Sequence, residues 1–425
     1  MSTAAPDGYK ASPVGIIPAD WSISKLKEAT DLITCGLAST PRYVTSGGVP
    51  FLSAQNVKNG TLRLEKYKCI SYSDHAKLYA NNPPKRGDIL YTRVGSIGEA
   101  AIIETDLEFS IYVSLTLIKT GARLHNEFLK QLLNSAHYKR LANNEVYVGG
   151  GVGNLNVNVV RGWHVAVPPL PEQKKIARIL SSVDSKLALI DQQITTTQTL
   201  KKGLMQKLFT QGVGTQDADG RWQPHTDFQK TELGRIPVVW EVATIGSISE
   251  NFDNLRVPIK SEDRQNRQGE YPYYGAQGII DFVDDYIFEG DYLLVAEDGE
   301  NVKSRKYDIA LYVSGKFWVN NHAHILQSTE SSDLRFLQYM INFISIKDYV
   351  TGQAQPKLNK AALMGIKIKL PPISEQKEIS STLYTVDRKL DHLQTQKAQT
   401  QQLKKGLMQK LLTGQIRVQP DPQDH

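Results

Sequence analysis

Long apolar runs are missing from this 425-residue chain. None reaches the ~18 residues that a bilayer-spanning helix requires, so no transmembrane helix is expected. The opening MSTAAPDGYK has neither a basic nor an apolar segment, so no export signal and a cytoplasmic location away from membranes are expected. Cysteine is nearly absent: Cys35 and Cys69, the only two, match no metal-ligand spacing and read as reduced thiols. Nucleotide loops are lacking as well. GGGVGN (Gly149 to Asn154) and SGKF (Ser314 to Phe317) lack the Lys-Ser/Thr ending of a P-loop, and no Gly-rich strand-to-helix loop for S-adenosylmethionine is evident. NNPPK (Asn81 to Lys85) approaches the Asn-Pro-Pro-aromatic signature of base-flipping adenine methyltransferases, but Lys85 stands where an aromatic ring must stack. Pro83-Pro84 therefore read as a loop, and a self-contained methyltransferase is only an alternative. His322 and His324 have no nearby third ligand and read as a half-buried strand pair. Neither a catalytic centre nor a metal or cofactor bound by this chain is expected.

What is present is repetition. KKGLMQKL stands at Lys201 to Leu208 and returns at Lys404 to Leu411. The match begins earlier: PPLPEQKKIARILSSVDSKL from Pro168 answers PPISEQKEISSTLYTVDRKL from Pro371, an offset of 203. GIIPADW from Gly15 answers GRIPVVW from Gly234, an offset of 219. A chain this long needs more than one core, and the repeat divides it. The expected blocks are 1–167, 168–213, 214–233, 234–370, 371–418 and a tail 419–425: globular domain, spacer helix, linker, second domain, second spacer helix.

The shared blocks carry an apolar seam every 3.5 residues. In the first, Ile176, Val183, Ile190, Thr197 and Leu204 alternate with Leu180, Leu187, Ile194, Lys201 and Leu208. In the second, Ile379, Val386, Leu393, Thr400 and Leu407 alternate with Leu383, Leu390, Lys397, Lys404 and Leu411. Each block predicts one long helix built to pack against another. Pro171 and Pro371-Pro372 mark the starts, Glu172 and Glu375 suit the helix dipole, and Gly212 and Gly414 are stops. The other blocks predict strands at DILYTRV, SLTLIK, YLLVAE and HILQS, followed by helices over Asn126–Asn144 and Asp333–Ile344. QGVGTQDADGRWQPHTDFQ reads as a linker with little core of its own.

These motifs resemble the specificity subunit of type I restriction-modification systems. The resemblance rests on GDIL (Gly87 to Leu90) with VGSIG (Val94 to Gly98), YPYYGAQG (Tyr271 to Gly278), Leu155-Asn156, Leu358-Asn359, and the two PP…EQ starts with their KKGLMQKL ends. It covers the chain from about Gly15 to Val418. It implies a mixed α/β fold with two target-recognition domains separated by two long helices that pair as an antiparallel coiled coil, an internal pseudo-two-fold repeat. It further implies a non-catalytic subunit that reads a split, asymmetric double-stranded DNA target, one half-site per domain. Such a subunit holds two methyltransferase subunits and, through them, restriction subunits; S-adenosylmethionine, ATP and Mg belong to those partners.

Base edges are read by Arg, Lys, Asn and Gln. Expected DNA contacts in the first domain are Arg42, Gln55, Asn56, Lys85, Arg86 and Arg93. In the second they are Tyr273, Tyr274, Gln277, Lys303, Arg305, Gln353 and Lys357. Charge partition favours only the first: residues 22–167 carry 17 Lys and Arg against 11 Asp and Glu, a balance of +6, whereas residues 234–370 carry 15 against 18, or −3. The acidic balance keeps a protein-binding coiled-coil adaptor as a further alternative.

Overall fold

The computed structural model describes residues 5–147, 153–352 and 355–421. The chain divides into two compact units, and the division falls inside both long helices. One unit comprises residues 1–191 and 395–425, the other residues 192–394. The helices run Leu170–Gln211 and Ile373–Leu411, about 60 Å each at 1.5 Å per residue. Gly212 and Gly414 follow them with φ of 75° and 72°, the left-handed conformation that glycine adopts freely at helix ends. No helix among the described residues is long and apolar enough to cross a membrane.

In the first unit the start of one helix packs against the end of the other. Ile176, Ala177 and Leu180 share a core with Leu411 and Leu412, and with Ile17, Trp21 and Phe128 of the globular part. Asp184 pairs with Lys404 and Asp191 with Lys397, each at 2.6 Å. Numbers rise along one helix as they fall along the other, so the packing is antiparallel. The second unit repeats the arrangement: Leu208 and Phe209 share a core with Ile379, Leu383, Trp240 and Phe336, and Lys201 pairs with Asp387 at 2.6 Å. The lysines that interrupt the apolar seam are thus bridged across it, and every predicted seam residue is buried or half-buried. The paired aspartates also tie the helices to the globular parts, Gln131 donating to Asp184 and Tyr339 to Asp387.

Each globular part is built on one four-stranded antiparallel order. In the first unit it is Ala100–Ile102, Ile89–Thr92, Leu115–Lys119, Leu32–Cys35. In the second it is Ala310–Val319, Phe288–Ala296, Ala323–Ser328, Ser249–Asn251. The second sheet is extended by a hairpin, Gln268–Gly275 with Gly278–Val283, which joins in parallel through Tyr273 and Trp318. The first unit instead carries a separate sheet ordered Ser110–Ile111, Val49–Leu52, Lys68–Ile70, Tyr43–Val44. The four predicted strands lie within these sheets, and Ser314–Phe317 is mid-strand rather than a nucleotide loop. Asn126–Asn144 is two helices, broken at Asn134-Ser135.

The predicted linker is more structured than expected. Thr215–Gln216 pairs with Trp222–Gln223, and Phe228–Thr231 pairs with Gly234–Pro237. The latter hairpin matches Tyr9–Ser12 with Gly15–Pro18, so the repeat begins ahead of the GxIPxxW motif. The Leu-Asn pairs have one role in both units: Leu155 and Leu358 are fully buried, and Asn156 and Asn359 cap the helices that follow.

Candidate nucleic-acid interface

The two repeated motifs meet. Trp21 Nε1 donates to Glu172 at 3.0 Å, and Trp240 Nε1 donates to Glu375 at 2.7 Å. Both carboxylates are buried, so Glu172 and Glu375 are internal anchors rather than the solvent-facing dipole partners that their place in the first turn suggests. The following Gln is equally constrained. Gln173 accepts the His125 N–H and donates to the carbonyls of Arg123 and Pro168; Gln376 accepts the Asp333 N–H and donates to Ser331 and Pro371. These bonds fix each helix to its globular part and orient the surfaces described next.

The separate sheet of the first unit walls a cleft of about 300 Å³, lined by Tyr43, Phe51, Ser53, Ala54, Gln55, Lys68, Tyr112 and Ser114. Phe51 lies 6.3 Å from the Tyr43 ring and 5.9 Å from that of Tyr112, and the Lys68 ammonium sits 4.2 Å above Tyr43. Gln55 is exposed on a 3-10 turn, Ala54–Asn56, that its neighbours hold rigidly. The Ala54 N–H donates to Ser114 Oγ, and Asn56 accepts the Ser53 N–H while donating to the carbonyls of Arg63 and Lys66. Between Arg42 and Lys68, five cations (Arg42, Lys58, Arg63, Lys66, Lys68) stand against one carboxylate, Glu65. Aromatic faces for stacking, an amide for a base edge and lysines for phosphate are the functional groups that nucleic-acid recognition uses.

Among the expected contacts of the first unit, Arg42, Gln55, Lys85 and Arg86 are exposed. Arg86 forms a two-pronged ion pair with Asp106, whose carboxyl that partner holds below its usual range. Asn56 and Arg93 are buried and internal, which corrects their reading as surface contacts. Arg93 donates to the carbonyls of Leu155 and Val113 and to the Asn154 side chain. Pro83-Pro84 lie in a loop, as read from the sequence.

In the second unit Tyr273 and Arg305 are likewise internal. Tyr273 is fully buried and its hydroxyl accepts the Ile259 N–H. Arg305 donates to the carbonyls of Ile341 and Asn342 at the negative end of the helix Leu334–Phe343, and burial lowers its pKa. Tyr274 is half-buried against Phe317, and burial raises its pKa. Gln277, at the turn of the edge hairpin, and Lys303 are exposed. Gln353 lies outside the described residues. Lys357 pairs with Glu297 at 3.0 Å within a network that also holds Arg256, Asp253 and His324. His324 is buried, bonded to Asp253 at 2.6 Å and to the Leu358 carbonyl at 2.7 Å, and His322 sits in the preceding turn facing Asp298, so the two are not an equivalent strand pair. Burial alone would raise the Asp253 and Glu297 carboxyls, but His324 on the first and Arg256 with Lys357 on the second hold both below their usual range.

Tyr43, Phe51, Lys68 and Tyr112 were not among the expected contacts. They come from separate segments joined by the pairing of Ser110–Ile111 with Phe51–Leu52. The legible signal was the clustering of cations between Arg42 and Lys68.

The family model described as the type I restriction modification DNA specificity domain matches residues 18–197 and 237–402. A Methanocaldococcus jannaschii chain assigned to the type I restriction enzyme MjaX as its specificity subunit is 30% identical over 432 residues, covering 97% of each chain. The MjaVIII specificity subunit of the same organism is 28% identical, covering 95% of this chain and 94% of its own. The fold is similar to that of the type I S subunit from M. genitalium, with a TM-score of 0.62 at 18% identity over 92% of this chain and 96% of that one. A chain from a structural study of type I complex assembly and conformational transition gives 0.50 at 14% identity, over 94% and 99%. With its specificity-domain match on both halves of the repeat, this chain belongs to the type I restriction-modification specificity subunits, the non-catalytic members of these systems.

Proposed function

We propose that the chain reads a split, asymmetric double-stranded DNA target in the cytoplasm, one half-site per globular part, and holds two methyltransferase subunits, with restriction subunits joining through them. The observation that carries this reading is the duplicated plan: two units with one strand order, one Trp–Glu anchor and one Leu-Asn cap. In the first unit the cleft around Tyr43, Gln55, Lys68 and Tyr112 is the reading surface, with Arg42 beside it and Lys85 and Arg86 on further loops as phosphate contacts. In the second, Gln277, Lys303 and the exposed flank of Lys357 are the corresponding candidates; its acidic balance leaves more of the phosphate contact to the methyltransferase partners. Two readers on one face of B-DNA work best about one helical turn, ~10 bp, apart, so half-sites centred about that far apart are expected.

The test is methylation by the reconstituted complex. Gln55→Ala with Lys68→Ala is expected to relax or abolish recognition at one half-site, leaving the other half-site and assembly unchanged. Unaltered recognition of both would remove the cleft from the reading surface. Transfer of methyl groups to DNA by the purified single chain would contradict the non-catalytic role.

A further inference from the structure

A second likeness between the units lies outside the long repeat. VPFLSAQNV (Val49 to Val57) answers YPYYGAQGI (Tyr271 to Ile279), setting Pro50, Ala54 and Gln55 against Pro272, Ala276 and Gln277. Letters alone would not establish so loose a match, but three backbone registers agree on it. Phe51 and Leu52 pair in parallel with Ser110 and Ile111, as Tyr273 and Tyr274 do with Trp318 and Val319. On the other side, Val49, Pro50 and Phe51 pair antiparallel with Ile70, Cys69 and Lys68, as Tyr271, Pro272 and Tyr273 do with Val283, Phe282 and Asp281. The third register is the turn after the parallel strand. The Tyr112 N–H donates to the Leu52 carbonyl and the Ser114 carbonyl accepts the Arg93 N–H; the Asn320 N–H donates to the Tyr274 carbonyl and the His322 carbonyl accepts the Glu297 N–H. In all three, Gln277 takes the place of Gln55.

The two glutamines are alike in setting as well. Both are exposed a few residues past a buried aromatic, Phe51 or Tyr273. Gln55 stands on the 3-10 turn Ala54–Asn56, and Gln277 in the two-residue turn between the paired Gly275 and Gly278. Neither amide has a hydrogen-bond partner among the described residues. Their neighbours are unlike. Asp281, held by Arg264 at 2.9 Å, stands where the first unit has Lys68, Asn320 where it has Tyr112, and His322 where it has Ser114.

We infer that Gln55 and Gln277 each read an A·T pair at the equivalent position of the two half-sites; this rests on the DNA-reading function proposed above. A primary amide carries an acceptor beside its donors. Among the four bases only adenine sets an acceptor, N7, directly beside a donor, N6, on its major-groove edge, so both bonds form at once. Guanine presents two acceptors there and satisfies the amide only by half. A base undergoing methylation is drawn out of the stack, so the pair read by the amide is not the one methylated. The unlike neighbours face the flanking base pairs, which is how one shared reader serves an asymmetric target. The exchange of Lys68 for Asp281 also places part of the charge difference between the units at this site.

The test uses the full-length chain with its methyltransferase and measures methylation across a library of targets in which each base pair is varied in turn. Half-sites are assigned beforehand by exchanging residues 22–167. The wild-type complex is expected to require A·T at one unmethylated position of each half-site, the same number of base pairs from the methylated adenine in both. Gln55→Ala should lower discrimination at that position of the first half-site alone, by roughly fivefold to a hundredfold, and Gln277→Ala should do so in the second alone. Gln55→Arg and Gln277→Arg carry side chains that suit guanine O6 and N7, and should move the preference at the same positions to G·C. A new preference of this kind is a gain that a merely damaged domain does not give. Unchanged discrimination in either alanine variant, relaxation at a pair other than A·T, or unequal distances from the methylated adenine would overturn the inference. An exchange of residues 22–167 that alters neither half-site would instead overturn the functional reading on which it rests.

Discussion

The same backbone joint is held by opposite charges in the two units. At the end of the strand Ile89–Thr92, Arg93 exchanges backbone bonds with Ser114 and Leu155; at the end of Phe288–Ala296, Glu297 bonds His322 and Leu358 in the same way. In the first unit the arginine then satisfies three acceptors of the surrounding loops, whereas in the second the glutamate gathers Arg256 and Lys357 beside the Asp253–His324 pair. The helix anchors differ similarly. Glu172 meets the exposed Arg417, itself paired with Asp20, while Glu375 takes the N–H groups of Val213 and Gly214 and the His225 ring, partners that are buried or half-buried. One fold plan therefore fixes where a joint must be closed, and leaves the chemistry of closure free.

The comparison can be broken most severely at the helix anchors. Glu375→Ala strands Trp240, His225 and two backbone donors away from water, and is expected to cost the second unit about 3–5 kcal/mol. Glu172→Ala strands Trp21 but lets Arg417 turn to Asp20 and solvent, at about 1–3 kcal/mol. Hydrogen exchange resolved by unit measures both; equal losses would show that the anchors are equivalent after all. Next comes Arg93→Met, which keeps side-chain bulk but leaves the carbonyls of Leu155 and Val113 unpaired, for about 2–3 kcal/mol confined to the first unit. Protection of Leu115–Lys119 should fall while that of Ala323–Ser328 stays level.

The smallest effect is acid sensitivity. Asp253 and Glu297 have lowered pKa values, so the stability they add is fully present above the ordinary carboxylate range near ~4 and is lost as pH falls through their depressed folded values. The lowered carboxyls of the first unit, Asp20 and Asp106, pair with arginines near the surface, where such pairs contribute less. Exchange protection of the second unit should therefore decline more steeply on acidification below pH ~4, and a parallel decline in both units would remove this network as the cause.

Much of the architecture was legible because it is periodic or repeated. The seam from Ile176 to Leu208 announces a long helix with one packing face, and the repeat announces its partner. A period does not say that each core takes the beginning of one helix and the end of the other; that follows from antiparallel pairing, which the family resemblance implies and which the Lys–Asp bridges and the shared cores display. The Trp–Glu anchors could have been found, since both motifs recur together. Contact residues were harder to read, because a polar side chain carries no mark of its burial. Asn56 and Arg93 sit at strand and loop ends where unpaired carbonyls recruit them inward, while Tyr43 and Tyr112 meet only through pairing between segments far apart in the chain.

The central claim is that each unit reads its own half of one target. Its direct measurement is a genome-wide map of methylated adenines in cells carrying the methyltransferase with either this chain or a chain in which residues 22–167 come from another member of the family. Two half-sites separated by unread base pairs are expected, with the exchange altering one half-site and leaving the other and the spacing unchanged. A change in both half-sites, or methylation at a single undivided site, would contradict it.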